Sequence, residues 1–518
     1  MAISNPQVNI QIIPAYQVPQ NEEQKILFVG QKTSAGSAPA GSLVESIGNT
    51  REEDDLFGDH SLLAAMVRAA KKYNKITRMD ALVLDDSGSG VAATRVVGFT
   101  GTASAAGSYT VYNASRKNHA YTLNVANGAT ATVIGDALET LINNDNYSPI
   151  SANNVSGSVT LTALNDGLTG NDIGFQIIGS IPGVTVSITD MSGGLNDPNL
   201  STIFSLVDNI RYQTVVMPVS YLAQSYPIDF LNNRWNPSGD KILDGIGVVG
   251  KTGVYAGLIA DITTAENSQN FTIIPNRAVN ISSPYKYEGS ALFELDYVIA
   301  AQFAAVRALR LTPGASLADF VVASEDAKDY FGGIHIATLP YHNTPFRDLP
   351  IIDNDQMWSD SERDQLKSIG YTILGNNVAN TEIIADSAIT RYRKDGAGND
   401  DLSFKYINYV DQSSNVREYF HNNLKADFAQ SRLTLGDLIP GYNMANKGII
   451  KGAIMRIYGE LANFALVPAG EDARKAFLRK LEININEIAG EVTITMLDPV
   501  ITQLRKIAAT MQLTFSLA

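Results

Sequence analysis

The sequence predicts a multi-domain mixed α/β (α+β) fold with a strand-rich insertion and a strand pattern at each end that lacks a partner of its own. Three observations carry this. From Lys25 onward, apolar runs of strand length alternate with amphipathic segments of helix length, the rhythm of an α/β core. Between Val96 and Pro198 that rhythm breaks: only Arg116 and Lys117 are basic, and thirteen glycines stand among short alternating segments. At the ends, Val8, Ile10 and Ile12 alternate with Asn9 and Gln11, while Met511, Leu513, Phe515 and Leu517 alternate with Gln512, Thr514 and Ser516. Terminal segments fray unless something ties them down. A strand pattern at both ends therefore points to another copy of the chain, and to a protein that builds a polymer.

Taken in order, Pro14 to Gln24 is poor in apolar residues, holds Pro14 and Pro19, and reads as an extended linker. Its eleven residues reach at most about 36–40 Å, enough to cross to a neighbouring subunit. KILFVG (Lys25–Gly30) predicts a buried strand, followed by a Gly/Ser/Ala/Pro loop to about Ser42. DHSLLAAMVRAAKKYN predicts a helix. Leu62, Leu63, Met66, Val67 and Ala70 recur at helical spacing, Ser61 or Asp59 caps the start, and Lys71 and Lys72 suit the last turn. ALVLDD (Ala81–Asp86) predicts the next strand. In the insertion, SYTVYNA, AYTLNVA, SVTLTAL, IGFQIIG and GVTVSIT predict strands, with one helix carrying Ile134, Leu138, Leu141 and Ile142 between the second and third.

From Thr202 the α/β rhythm returns. TVVMPVS and FTIIPN predict strands, and GVYAGLIADITTA and YVIAAQFAAVRALRL apolar helices. SERDQLKSIG predicts a short helix opened by a Ser359…Glu362 capping box and closed by Gly370. YTILG, EIIADSAITRY, EININE and EVTITML are strand-like; VREYFHNNLKADFAQSRL and EDARKAFLRKLE are helical. No repeat recurs at a fixed period.

Composition narrows the chemistry. At 518 residues, 45% hydrophobic and 18% charged, the chain is an ordinary globular sequence with room for several cores. No apolar run approaches the ~20 residues of a membrane span, and MAISNPQVNIQIIP has neither the basic nor the apolar region of a secretory signal. A net charge of −14 argues against general nucleic-acid binding. There is no cysteine for disulfide or thiolate chemistry. The five histidines, His60, His119, His335, His342 and His421, are scattered, with no metal-binding spacing. No cofactor, metal or catalytic constellation is expected, and NDIG after Gly170 reads as a turn rather than a Ca²⁺ loop.

One motif demands a decision. Gly245 to Thr252 satisfies G-x-x-x-x-G-K-[ST], the loop whose amides wrap nucleotide phosphates. That function needs a buried strand ending before Gly245, yet GDKILD supplies only two adjacent large apolar residues. The apolar side chains Ile246, Val248 and Val249 lie inside the motif. GIGVVG therefore reads as the strand itself, with Lys251-Thr252-Gly253 turning into the next helix. A P-loop nucleotide-binding ATPase using Gly245–Thr252 is the alternative function.

Several segments are similar, in order, to one known family. These are KILFVGQKTSAGSA, LFGDHSLLAAMVRAAKKYN, the insertion with GLTGNDIG, GVVGKTGVYAGLIA with NFTIIPN, EIIADSAITRYRKDGAGNDD with FHNNLKADFAQSRL, and LDPVITQLRKIAATMQLTFSL. Together they resemble the tail sheath proteins of Mu-like contractile-tailed phages over nearly the whole chain. Asp59-His60 departs from the family, which more often has a small or basic residue before the Ser.

The resemblance implies a non-enzymatic structural subunit with a multi-domain sheath fold and swapped terminal strands. Hexameric rings would stack around the tail tube and contract to drive the tube through the host envelope. Val8–Ile12 and Met511–Leu517 would be donated to the C-terminal domain of a neighbour, extending its sheet. The implied domains are 1–24, the N-terminal arm and linker; 25–95 with 199–375, the core and outer region; 96–198, the strand-rich insertion; 376–505, the inner C-terminal domain; and 506–518, the C-terminal arm. Implied partners are the chain itself, the tail tube protein, and baseplate and tail terminator proteins, with no nucleic acid and no membrane insertion. The implied location is the virion, after assembly in the host cytoplasm; a phage-derived injection particle is an equivalent home.

For tube contact the sequence offers EDARKAFLRK. Arg474, Lys475 and Arg479 would share a basic face, while Ala473, Phe477 and Leu481 point to the core. An ordinary solvated helix face is the competing reading. From Gly441 to Ala518 there are 9 Lys and Arg against 7 Asp and Glu, whereas the other 440 residues carry 30 against 46. A mildly basic inner surface and a chance fluctuation both account for that difference.

Overall fold

The computed structural model describes residues 23–48, 50–235, 241–261, 264–281, 286–312, 341–346, 348–439, 442–497 and 501. The terminal segments Val8–Ile12 and Met511–Leu517, with Val8, Ile10, Ile12, Met511, Leu513 and Phe515, lie outside the described residues, as does His335. Among the described residues, no helix is long and apolar enough to cross a membrane.

KILFVGQ forms β1 (Lys25–Gln31), and its two faces enter different cores. Ile26 and Phe28 join one cluster, Leu27 and Val29 the other. A strand apolar on both faces belongs in the middle of a sheet covered on both sides. β2 (Ser42–Val44) and α1 (Glu52–Phe57) lead to α2 (Leu62–Tyr73), whose cap is the expected Ser61: its Oγ accepts from the Ala64 amide at 3.0 Å. β3 (Arg78–Leu84) then pairs parallel with β1.

The segment after β3 is strand-rich, with the single helix expected. It contains β4 (Thr94–Gly101), β5 (Gly107–Asn113), β6 (Ala120–Val125), α3 (Ala131–Asn143), β7 (Ile150–Val155), β8 (Ser158–Ala163), β9 (Phe175–Ile178) and β10 (Val184–Ile188). All five expected strands form. β4 and β7 escaped notice because glycines interrupt the first and the Asn153-Asn154 pair of the second reads as a turn. These strands split between two sheets. β10-β4-β8-β7 make a four-stranded antiparallel sheet, whereas β9, β5 and β6 extend the main sheet.

The main sheet is completed by β11 (Thr214–Val216), α4 (Tyr226–Arg234), β12 (Ile246–Gly253), α5 (Tyr255–Ala260), β13 (Phe271–Ile281), β14 (Lys286–Ser290) and α6 (Asp296–Leu311). Its order is β2-β3-β1-β11-β12-β13-β14-β9-β5-β6, ten strands. The run β3-β1-β11-β12-β13 is parallel, the doubly wound pattern; the rest is antiparallel. β13 joins the two halves, pairing parallel with β12 through Arg277 and antiparallel with β14 from Ala278. α2 and α6 cover one face; every residue of α6 is buried. α5 is shorter than expected. The Asp261 carboxylate accepts from the Thr264 amide and hydroxyl at 3.2 and 2.8 Å, a local turn that competes with further helix.

Beyond the sheet come β15 (Pro345–Phe346), α7 (Asp360–Ser368), β16 (Ile373–Asn376), β17 (Ile383–Ser387), α8 (Ile407–Phe428), β18 (Arg432–Leu433) and β19 (Met444–Ala445). α9 (Lys447–Asn463), α10 (Glu471–Lys480), β20 (Glu482–Asn486) and β21 (Glu491–Thr495) follow. α7 has the expected capping box, and its end is a Schellman motif. The Tyr371 amide reaches Leu366 O at 3.1 Å, the Gly370 amide reaches Lys367 O at 3.3 Å, and Gly370 has φ +91°. α8 starts nine residues before the expected Val416, because its first turns are buried on every side and show no amphipathic contrast. α9 was not expected at all. Gly448, Gly452 and Gly459 obscure a helix whose Ile450, Ile454, Ile457, Tyr458 and Leu461 are buried at helical spacing.

Candidate functional site

The C-terminal part of the described chain has its own core. Val416 and Phe420 of α8, five buried residues of α9, Phe477 of α10 and Ile483 of β20 form one cluster. Phe477 stacks on Tyr458 with ring centroids 4.5 Å apart. β20 and β21 close this core as an antiparallel hairpin in which Ile483 faces Ile494 and Ile485 faces Val492. These four side chains point at the core, while Glu482, Asn484, Asn486, Glu491, Thr493 and Thr495 are exposed on the other face. The sheet has two strands, so among the described residues neither outer edge is paired. An isolated hairpin is marginal in water, and an unpaired edge is a template for another strand.

Beside the hairpin lies exposed apolar surface. The Leu435 amide donates to Glu487 Oε1 at 3.2 Å, bringing the loop after β18 to the hairpin turn. On that loop Leu435, Ile439 and Tyr442 are 65%, 57% and 63% exposed, and Ile488 at the turn is fully exposed. Clustered apolar exposure of this kind marks contact surfaces.

The structure places Arg474, Lys475 and Arg479 on the exposed side of α10, with Phe477 buried and Ala473 and Leu481 half-buried beneath. Lys475 pairs with Glu471 at 2.7 Å, one turn away. All three basic side chains therefore point away from the core.

Gly245–Thr252 is not a phosphate loop. Gly247 to Gly253 pair residue by residue with Phe271 to Arg277, so the motif is a strand in mid-sheet. Its Lys251-Thr252-Gly253 end, expected to turn, stays in the ladder. A Cβ at Gly250 would lie 2.3 Å from Asp296 O, so this glycine admits α6 against the strand. Lys251 holds Asp261: burial pushes that carboxyl up, but hydrogen bonds from Lys251 and Thr264 outweigh it and bring its pKa to about 2. Thr252 Oγ1 donates to Asp296 Oδ1 at 2.7 Å, and burial raises that carboxyl to about 6. Both side chains needed for phosphate and Mg²⁺ are thus committed to protein carboxylates.

In open α/β sheets, ligands bind outside the strand carboxyl ends where strand order reverses. Here that point lies between β1 and β11, and protein fills it. Gln31 donates to Asp86 Oδ1 at 2.6 Å and to Asp166 O at 2.7 Å, and accepts from the Tyr221 hydroxyl at 3.0 Å. Asn165 donates to Lys32 O at 3.0 Å.

The histidines stay dispersed. His60 Nδ1 lies 3.0 Å from Ser148 O, His342 Nδ1 2.9 Å from Asp386 O, and His119 Nδ1 2.6 Å from Asp145. Among the described residues no cluster of three or more potential metal ligands occurs.

Sequence reasoning missed the junction between α8 and the sheet. Arg307 of α6 pairs with Asp411 at 2.5 Å, and the Tyr341 hydroxyl donates to the same carboxylate at 2.9 Å. Arg211 pairs with Glu418 at 2.7 Å and Asp244 with Arg417 at 2.9 Å. On α8 the partners Asp411, Ser414 and Glu418 recur at helical spacing, the one trace the sequence carried.

No protein-family model matches the chain. The chain is 27% identical over 460 residues to the tail sheath protein of the Mu-like prophage FluMu from Haemophilus influenzae, covering 87% of this chain and 85% of that protein. The resemblance read from the order of motifs is borne out by this match. Among solved structures, the chain is similar to a sheath tail protein from Listeria innocua (TM-score 0.43, 12% identity, 93% of each chain). It is also similar to the helical sheath of the anti-feeding prophage in its contracted state (TM-score 0.47, 9% identity, 99% of each chain).

Proposed function

We infer that this chain is a structural subunit of a contractile tail sheath. The observation that carries the reading is the match to a prophage tail sheath protein along 460 residues. The role is assembly and contraction, not catalysis, and no cofactor enters it. Rings of six copies stack around the tail tube, attached below to baseplate proteins and above to a terminator, in a virion or a related injection particle assembled in the host cytoplasm. The division at 1–24, 25–95 with 199–375, 96–198, 376–505 and 506–518 is part of this proposal. So is tube contact through Arg474, Lys475 and Arg479.

The β20–β21 hairpin is the natural acceptor for the terminal strands. Val8–Ile12 and Met511–Leu517 from neighbouring copies would each extend one open edge, giving a sheet stitched from several chains. A strand of five to seven residues gains about 0.5–1.5 kcal/mol per backbone hydrogen bond. Ordering each residue costs about 1–2 kcal/mol, so hydrogen bonds alone do not hold an arm. Burial of the apolar face decides, at about 1.5–3 kcal/mol per large side chain. That burial is available where Ile483, Ile485, Val492 and Ile494 already line one face.

Contraction is then rigid-body repacking of subunits while the linkers stay attached, driven by contacts that are better in the contracted form. Negative-stain microscopy of the purified chain tests the assembly: tubes or rings are expected. Val8, Ile10 and Ile12 changed to Asp, or Met511, Leu513 and Phe515 changed to Asp, should leave a folded monomer that does not polymerise. Normal tubes from both variants would refute strand donation, and bound, hydrolysed ATP would revive the nucleotide reading.

A further inference from the structure

Where the foot of the main sheet meets α6 and α8, a cavity of about 20 Å³ lies beside Gln24, the residue just before β1. Most of its polar lining is committed to protein. Gln213 takes the Lys25 amide on its Oε1 at 3.0 Å and donates Nε2 to Glu23 O at 3.2 Å. Ser414 donates to Asp244 and accepts from Arg211 at 2.9 Å. Arg307 gives Nη1 to Gln213 O and Thr214 Oγ1, both at 2.6 Å, and Nη2 to Asp411 at 2.5 Å. Two buried atoms of the lining find no hydrogen-bond partner among the described residues: Arg307 Nε, a donor, and Gln24 Oε1, an acceptor. Each belongs to a side chain that is 4% exposed, so bulk solvent does not serve them. Buried polar groups in folded proteins are satisfied by protein or by ordered water.

We propose that this cavity is a binding site for a single water molecule, which accepts from Arg307 Nε–H and donates to Gln24 Oε1. Three observations select that ligand. The volume exceeds the roughly 10–15 Å³ that one water requires and leaves no room for a larger molecule. The two orphaned atoms are one donor and one acceptor, and a water satisfies both at once. The charges around the cavity already balance: Arg211, Arg307 and Arg417 meet Asp244, Asp411 and Glu418, every one paired at 3.4 Å or less. An ion would add an uncompensated buried charge. The water then links the root of β1 to the same guanidinium that docks α8 through Asp411. The start of the sheet and the helix leading to the C-terminal core thus share one polar knot, whatever the chain assembles into.

A crystal structure of the full chain, at a resolution that shows ordered water, tests the site directly. One density peak is expected within hydrogen-bond distance of both Gln24 Oε1 and Arg307 Nε, and Gln24→Leu should remove it. A cavity without density, or a peak that touches neither atom, overturns the proposal. So does an anomalous signal there after bromide replaces chloride, since that identifies an anion. Stability measurements give an independent arm. Gln24→Leu removes the acceptor, and Arg307→Lys removes Nε–H while keeping a cation facing Asp411. Each should lower the folding equilibrium constant about two- to tenfold, the scale of one hydrogen bond. Gln24 and Arg307 share no direct hydrogen bond, so a bridging water predicts that the double variant loses less than the product of the two single losses. Losses that multiply exactly would overturn the bridge.

Discussion

Asp145 shows how single side chains tie the insertion together. His119 Nδ1 approaches it at 2.6 Å and the Tyr121 hydroxyl donates to the same oxygen at 2.5 Å. Burial pushes the carboxyl up, yet the hydrogen bonds from His119 and Tyr121 prevail and hold it at about 2, below the ordinary 3.8. A depressed folded-state pKa stabilises the fold above the unfolded value, and that stability disappears as pH falls through the folded one. The loss should therefore fall between about pH 4 and pH 2. Thermal unfolding across that window checks it: Asp145→Asn should flatten the decline, and an equally steep decline in the variant would remove Asp145 as its source.

At the scale of elements, α7 offers the cleanest test of local signals. Ser359→Ala removes the cap and should cost about 0.5–2 kcal/mol. Gly370→Ala places a Cβ at φ +91°, 2.8 Å from Thr390 O, and should cost at least about 1 kcal/mol. Denaturant titration of both variants measures these losses; wild-type midpoints would contradict the cap geometry. α7 was legible because its start and stop are written in three residues, Ser359, Glu362 and Gly370. α2 and β1 were legible for a similar reason, their apolar period being unbroken. The first half of α8 was not, since Asn408, Asp411, Gln412 and Ser413 are buried polar residues, and Asp411 and Gln412 find their partners far along the chain, at Arg307 and Leu466. α9 carries the right apolar spacing, and three glycines concealed it. For the candidate site, the sequence showed the hairpin strands and the solvent face of α10. It did not show that the hairpin edges are unpaired among the described residues, because an unpaired edge is a property of the sheet and not of the strand.

Across the whole molecule, a ten-stranded sheet and a separate C-terminal core are joined by α8, whose buried ion pairs to Arg211 and Arg307 set how the two sit together. If the hairpin takes strands from neighbouring copies as proposed, load on it would reach the sheet through this helix. The tube-facing proposal is tested on the same scale. Lys475→Glu with Arg479→Glu should abolish co-sedimentation with purified tube while leaving self-assembly intact; undiminished co-sedimentation would remove α10 from that role. The bare Leu435, Ile439, Tyr442 and Ile488 side chains bear on handling as well. Association through apolar surface weakens on cooling, so sleeves sealed there should loosen in an ice bath and anneal again at bench warmth, the reverse of a particle held by ion pairs.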